Sequence, residues 1–189
     1  KVSRFCSLVA EKTAYKHGEK SLEEAVKGLN QTFVGSNNVP LLEEVGQTGG
    51  TRDAGGKDAA SSRYTYTRPS VVLPYIFRNE DMPILELDND EGEVIEPKMF
   101  YPIIPHHLVN GDIGIGTGWS TYIPKHNIYD IIDWLIKRNK DEETPKLNPW
   151  FRGFKGEVKV ELLQVMTTGI FTLERNKVII TELPISRWT

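Results

Sequence analysis

The chain has 189 residues, of which 39% are hydrophobic and 26% are charged, and its formal net charge is −3. No apolar run approaches the roughly 18 residues that a transmembrane helix needs, so the sequence predicts no membrane partner. The single cysteine, Cys6, excludes an internal disulfide, and the four histidines lack partners at zinc-ligand spacing. Because the sequence begins with Lys1 rather than Met, we expect a piece of a longer protein.

Apolar residues with helical spacing predict two α-helices in the first 33 residues. Val2, Cys6 and Val9 share one face of a helix that is expected to run to about residue 15. A second helix is predicted to begin at Ser21, with Glu24 as the partner of a capping box. Two helices joined this closely indicate a helix-turn-helix.

Residues 35–62 are rich in glycine, asparagine, aspartate and serine, and they predict a long structured loop with one short strand at 41–45. Loops of this length inside a compact domain are usually functional. β-favouring residues at 63–67 predict a strand that ends the loop before Pro69. The segment from Arg52 to Arg68 contains four basic residues and only two acidic ones. This local excess of positive charge would suit binding to nucleic acid if the basic side chains lie on one surface.

The rest of the chain predicts a helix at 71–77, an acidic solvated hairpin at 79–96, a second glycine-rich loop at 110–118 and a helix at 128–136. Beyond residue 149 the hydrophobic pattern alternates and predicts strands near 158–162, 170–173 and 178–183. We therefore expect an α+β protein with two domains, at residues 1–103 and 104–189.

Two glycine-rich segments resemble nucleotide-binding motifs but lack their required residues. Thr51 stands where a Walker loop needs its first glycine, and Asp58 follows Lys57 where serine or threonine is needed. Trp119 stands where a dinucleotide fingerprint needs its last glycine. Neither segment supports nucleotide binding.

A series of collinear blocks covers nearly the whole chain: AYKHGE at 14–19, FVGSNN at 33–38, GGKDAA at 55–60, RY at 63–64, PIIP at 102–105, NG at 110–111, GIGTGW at 114–119 and ITELP at 180–184. Together these blocks closely resemble the DNA-cleavage core of eukaryotic-type (type IIA) DNA topoisomerase II. The chain departs from the family pattern at Lys16, which replaces the first histidine of a pair, and at residues 47–50.

The resemblance implies a partial winged-helix domain, a helix-turn-helix with a small β wing, at residues 1–103. The start of an α/β tower domain with a mostly antiparallel sheet is expected at 104–189. It also implies an ATP-dependent enzyme that relaxes and decatenates double-stranded DNA as a homodimer. Mg²⁺ and ATP are expected in TOPRIM and ATPase domains outside this chain. The implied location is the nucleus, or a viral factory or the host cytoplasm if the protein is viral.

The same resemblance assigns roles to individual residues. It makes Tyr64 the nucleophile that forms a 5′-phosphotyrosyl link. Because a phenol ionises only near pH 10, something must favour the phenolate, and the charge that grows on the phosphate must also be neutralised. Arg63 is assigned to the neutralisation of the phosphate, since a guanidinium matches phosphate oxygens, and His17 is assigned to the scissile phosphate region. Ile115 is expected to wedge between base pairs from the minor groove. Further DNA contacts are assigned to Lys57, Ser36, Asn37 and Asn38.

Other interpretations stay open at this point. An Arg-Tyr pair on a strand is often ordinary surface pairing, an isoleucine between glycines can be a core residue, and Asn-Asn after glycine is common turn chemistry. The rival from another class is a non-catalytic winged helix, in which the glycine-rich loop holds the DNA backbone and Tyr64 only stacks or hydrogen-bonds. A bacterial-type gyrase polypeptide is a third possibility, which the eukaryotic-like blocks disfavour.

Overall fold

The computed structural model describes residues 1–162 and 164–188. Helices and antiparallel strand pairs make up this part of the chain, as the α+β prediction requires. Cα packing divides it into two compact units. The first unit comprises Lys1–Gln31, Pro40–Thr51 and Gly56–Ile104, and the second comprises Thr32–Val39, Arg52–Gly55 and the described residues from Pro105 onward. These units are defined by packing alone, so the predicted domain boundary at 103/104 stays a prediction.

The first unit is built on two helices and a two-stranded ribbon. Helix α1 (Val2–Lys12) packs on α2 (Glu19–Asn30), and strand β1 (Leu42–Val45) pairs antiparallel with β2 (Tyr66–Pro69). Their buried side chains form one small core that consists of Val2, Cys6, Val26 and Leu42. Burial raises the pKa of the Cys6 thiol, which therefore acts as an apolar packing residue.

Three predicted boundaries in this unit are wrong. Helix α1 ends at Lys12 rather than near residue 15, and Ala14 takes a left-handed φ of 48° that a helix cannot continue through. Helix α2 begins at Glu19 after an N-cap at Gly18, so Ser21 lies inside the helix and its amide already donates to the Gly18 carbonyl. The strand predicted at 63–67 begins only at Tyr66.

The remainder of the first unit contains a short helix, α3 (Leu73–Ile76), and a 3-10 helix at Asn79–Ile84. The acidic segment then forms the predicted hairpin, with strand β3 (Leu87–Asp90) antiparallel to β4 (Glu93–Pro97).

In the second unit, helix α4 (His106–Asn110) leads into the ribbon of β5 (Asp112–Gly116) and β6 (Trp119–Ile123). The loop predicted at 110–118 is thus wrong. Glycines at alternate positions accept extended backbone, and Gly118, with a φ of +78°, closes the tight turn between the strands.

Helix α5 (Ile128–Asn139) follows, and its N-cap, Asn127, accepts a hydrogen bond from the Tyr129 amide. The predicted C-terminal strands are present as two separate antiparallel ribbons rather than one sheet. The first pairs β7 (Glu157–Glu161) with β8 (Gln164–Thr168), and the second pairs β9 (Ile170–Glu174) with β10 (Lys177–Glu182). None of the helices in residues 1–162 and 164–188 is long and apolar enough to cross a membrane.

Candidate nucleic-acid interface

Tyr64 lies in a turn, not on a strand, and its side chain points into solvent. The turn is closed by a hydrogen bond of 2.9 Å from the Tyr64 amide to the Ser61 carbonyl, and 72% of the Tyr64 residue surface is exposed. The Arg63 guanidinium carbon lies 5.6 Å from the centre of the Tyr64 ring. The structure therefore brings together two of the predicted catalytic residues, a phenol and a cation, on an accessible surface.

The turn is anchored on both sides of this exposed pair. Ser62 and Thr65 are buried, and their carbonyl oxygens accept hydrogen bonds from the amides of Ser3 (3.3 Å) and Val2 (3.0 Å). These amides belong to the first turn of α1, where backbone donors have no partner within the helix. The Ser62 hydroxyl also donates to the Glu23 carboxylate on α2. The helix pair thus fixes the backbone of the turn while Tyr64 stays accessible.

His17 lies in the connection between α1 and α2, within the same unit as Tyr64. It is exposed, and its ring meets the Tyr15 ring edge-on with 5.4 Å between centroids. Its neighbour Lys16 forms an ion pair of 2.9 Å with Asp90. This pairing gives Lys16 an intramolecular role at the position where it departs from the family pattern, and the role of His17 stays a prediction.

The glycine-rich loop (residues 46–62) folds back on itself and exposes Lys57. The Asp58 carboxylate accepts hydrogen bonds from the amide (2.8 Å) and the hydroxyl (2.7 Å) of Thr51, and these bonds lower the pKa of Asp58. Gly50 has a φ of +75°, and a Cβ on it would lie 2.7 Å from the Gly56 backbone. Only glycine fits there, so the loop presents Lys57 from a constrained backbone.

The segment that departs from the family pattern, residues 47–50, is held from several sides. Thr48 is fully buried, with its hydroxyl 3.0 Å from the carbonyl oxygens of both Val45 and Tyr66. Gln31 donates to the Gly49 carbonyl at 3.1 Å. The departure is thus accommodated by hydrogen bonds within the first unit.

Ile115 projects from the β5–β6 ribbon in the second unit. It is 89% exposed, and the ribbon has only two strands among the residues that the structure describes. The alternative of a core isoleucine does not apply to Ile115, which is in an accessible position for the predicted contact with DNA. Ile113 and Trp119 are 70% and 85% exposed on the same ribbon.

The structure does not support a DNA contact for the Asn38 side chain. Asn38 is 5% exposed, and its amide nitrogen lies 3.0 Å from each of the carbonyl oxygens of Val109, His126 and Trp150. Its side-chain oxygen accepts from the Arg152 amide at 2.8 Å. The carboxamide is saturated by these contacts, so it fastens three segments of the second unit together.

The neighbouring residues of Asn38 belong to a turn. The Ser36 hydroxyl donates to the Phe33 carbonyl, and the Ser36 amide donates to the same oxygen at 2.9 Å. The hydroxyl hydrogen of Ser36 therefore stabilises this turn. The DNA contacts of Ser36 and Asn37 stay predictions.

One ion pair in the second unit was missed by the sequence interpretation. Arg52 pairs with Glu182, which is 5% exposed at its side chain, and also donates to the Leu183 carbonyl at 2.9 Å. Gly55 lies under Trp188, where a Cβ would come within 2.6 Å of the indole nitrogen. The only signals in the sequence were Gly55, in the block GGKDAA, and Glu182, in the block ITELP. These residues are more than 120 positions apart, so no local pattern connects them.

Residues 1–162 and 164–188 contain no group of three His, Cys, Asp or Glu side chains that could hold a metal ion.

The comparison with protein families decides to which family the chain belongs. The family model for the DNA gyrase/topoisomerase IV A-subunit matches residues 1–189. The chain belongs to this family. The DNA topoisomerase 2, mitochondrial, of Dictyostelium discoideum is 47% identical over 190 residues, and the DNA topoisomerase 2 of Saccharomyces cerevisiae is 44% identical over 191 residues. Both alignments cover 100% of this chain but only 15% and 13% of the relatives.

A solved structure of a topoisomerase has the same fold. It is the crystal structure of the Plasmodium falciparum topoisomerase II DNA-binding, cleavage and re-ligation domain. The match has a TM-score of 0.95 at 43% identity and covers 100% of this chain and 26% of that chain. This structural match fits a winged-helix region followed by a tower region in the present chain. The resemblance to eukaryotic-type topoisomerase II is confirmed.

Proposed function

We propose that this chain is the DNA-cleaving segment of an ATP-dependent type II DNA topoisomerase, and that Tyr64 forms a covalent link with DNA. The observation that carries the proposal is the Arg63–Tyr64 turn, in which a phenol that is 72% exposed lies beside a guanidinium. Family membership over the whole chain supports it.

The proposed reaction is a transesterification. The Tyr64 Oη attacks a backbone phosphorus, the bond from phosphorus to the 3′ oxygen breaks, Oη loses its proton and the 3′ oxygen gains one. The products are a 5′-phosphotyrosyl diester and a free 3′-hydroxyl. One phosphodiester replaces another, so reversal religates the DNA without external energy.

Charge stabilisation is the task we assign to Arg63. Negative charge grows on the phosphate oxygens as Oη approaches, and a guanidinium can donate two parallel hydrogen bonds to them. The cation already lies next to the nucleophile, so a phosphate that reaches Tyr64 also reaches Arg63. We assign His17 to the scissile phosphate region and Lys57 to the DNA backbone.

The whole protein is proposed to act as a homodimer on double-stranded DNA, so that each protomer cuts one strand. We place Mg²⁺ in a TOPRIM domain and ATP in an ATPase domain, both outside this chain. The metal supplies neutralisation of phosphate charge. The result is ATP-driven strand passage, which relaxes and decatenates DNA. A nuclear location is proposed for a cellular protein, and a viral factory or host cytoplasm for a viral one.

Covalent trapping tests the proposal. The full-length protein is incubated with supercoiled DNA and Mg²⁺, quenched with denaturant and digested, and DNA-linked peptides are identified by mass spectrometry. We expect an adduct on Tyr64 that disappears in Tyr64→Phe. Tyr75→Phe is a matched control, because Tyr75 lies in the same unit and is 73% exposed. Tight, salt-sensitive binding without any adduct would instead establish the non-catalytic winged helix.

A further inference from the structure

The β5–β6 ribbon has two different faces. Its register sets Ile113 opposite Tyr122 and Ile115 opposite Ser120. Since alternate residues of a strand share a face, these four side chains lie together, and Trp119 lies on the other face with Gly116 opposite it. Ile113, Ile115 and Tyr122 are 70%, 89% and 58% exposed, so one face presents three apolar side chains to solvent.

Such a ribbon is unfavourable unless it has a partner. A two-stranded ribbon is marginally stable alone, and a contiguous exposed apolar patch marks a binding site. Residues 112–124 contain no Lys, Arg or His and only one carboxylate, Asp112. The ribbon therefore cannot attract phosphates, and what it offers is apolar contact. Apolar side chains that enter DNA do so between base steps from the minor groove.

The ribbon projects from a fixed base. Gly111 has a φ of +71°, and a Cβ on it would lie 2.7 Å from the Ile123 carbonyl oxygen. Lys125 donates to the Asn110 carbonyl, and burial lowers the pKa of Lys125. These contacts tie the start of β5 to the end of β6, so the two isoleucines are presented in a defined orientation.

Spacing determines what the second isoleucine can reach. Ile113 and Ile115 are two residues apart on an extended strand, a separation of about 6.6 Å. Base pairs rise by about 3.4 Å along DNA, so the side chains are about two base steps apart. The predicted role of Ile115 as a wedge in the minor groove rests on the proposed function. If Ile115 enters the groove, Ile113 on the same face of the ribbon meets the groove about two base steps away.

We propose that Ile113, supported by Tyr122 across the ribbon, is a second DNA-deforming contact, so that the ribbon opens the minor groove at two nearby steps instead of one. The partner is the minor groove of the duplex that the proposed reaction cuts.

The test uses the full-length protein and duplexes that carry 2-aminopurine, whose fluorescence rises when its step is unstacked, at successive positions. We expect two fluorescence maxima about two steps apart. Ile115→Ala should remove one and Ile113→Ala the other, each with a loss of affinity of about ten- to a hundredfold, which is what losing one buried isoleucine contact costs. Ile113→Thr keeps the β-branched shape and should also remove the Ile113 maximum, which controls for damage to the ribbon.

Trp119→Ala is the matched control, because Trp119 is 85% exposed on the opposite face and should leave both maxima unchanged. A single maximum in the wild type, or an unaltered pattern in Ile113→Ala, would overturn the inference. Loss of both maxima in Trp119→Ala would assign the contact to the other face. Covalent trapping at Tyr64 tests the cleavage proposal separately. Two fluorescence maxima without a DNA adduct on Tyr64 would support the second contact and reject the cleavage proposal.

Discussion

Arg52 Nη2 lies 2.5 Å from Glu182 Oε1, which joins the segment Arg52–Gly55 to the end of β10 within the second unit. The Arg52 side chain is 25% exposed and that of Glu182 is 5% exposed, so this ion pair is largely withdrawn from water. The same unit holds Gly55 beneath Trp188. The tip of the loop, residues 52–55, is therefore fixed by charge and by packing.

We predict that Glu182→Gln destabilises this part of the protein by about 2–4 kcal/mol, because it leaves a mostly buried guanidinium without its counter-ion. Amide hydrogen exchange of peptides that cover residues 52–55 and 177–188 in the full-length protein measures the effect. Glu80→Gln is the control: it breaks the exposed pair with Arg78, and little change in exchange is expected there because water screens that pair. Equal effects of the two substitutions would contradict the prediction.

Asn38→Ala is expected to destabilise the second unit by about 3 kcal/mol, since it removes both N–H donors that three nearby carbonyl oxygens share and the oxygen that accepts from the Arg152 amide. Hydrogen exchange at residues 108–111 and 149–153 reports the change. Asn176→Ala, on the exposed turn between β9 and β10, should have little effect. If Asn38→Ala weakened DNA binding without altering exchange, the Asn38 side chain would be a DNA contact after all.

Gly50→Ala should disrupt the glycine-rich loop and weaken DNA binding. Its new Cβ would collide with the Gly56 backbone, whereas Gly46→Ala shares a φ of +75° and meets nothing within 4 Å. The comparison separates steric collision from backbone strain, which alone costs about 1–2 kcal/mol. The slope of log affinity against log salt concentration reports the number of phosphate contacts. We expect Gly50→Ala and Lys57→Ala each to lower this slope by about one contact, and Gly46→Ala to leave it unchanged.

The pH dependence of the loop follows from Asp58. Hydrogen bonds from Thr51 hold the pKa of Asp58 below its ordinary value. A carboxylate with a lowered folded-state pKa stabilises the fold above its unfolded pKa, and this contribution is lost as pH falls through the folded value. The loop should therefore loosen only in acid. Thr51→Val removes the hydroxyl donor but keeps the backbone amide, so an NMR titration of the Asp58 carboxyl carbon should show a pKa that rises part of the way toward the ordinary aspartate value. An unchanged titration would show that the Thr51 hydroxyl does not lower it.

Helical periodicity predicted the helix pair and α5, because their apolar residues repeat along a single segment. The position of Tyr64 could not be predicted in this way. The β-favouring residues at 63–67 predicted a strand, but the turn depends on amides of Val2 and Ser3, about 60 residues away in sequence. The β5–β6 ribbon was missed because its glycines favour a loop locally, while its strand pairing depends on the partner segment. The structural role of the Asn38 side chain could not be predicted either, since its partners at positions 109, 126 and 150 are remote in sequence.

The anchorage of the Tyr64 turn on α1 also has a mechanical side under the proposed function. A DNA end joined to Tyr64 pulls on the turn whenever the two halves of the broken duplex are drawn apart. That tension reaches the helix through the backbone hydrogen bonds of Val2 and Ser3 and through the Ser62–Glu23 contact. The covalent bond to DNA is far stronger than these contacts. Under the proposed function, the force that the broken duplex withstands is therefore set by the contacts that hold one short turn to the helix pair.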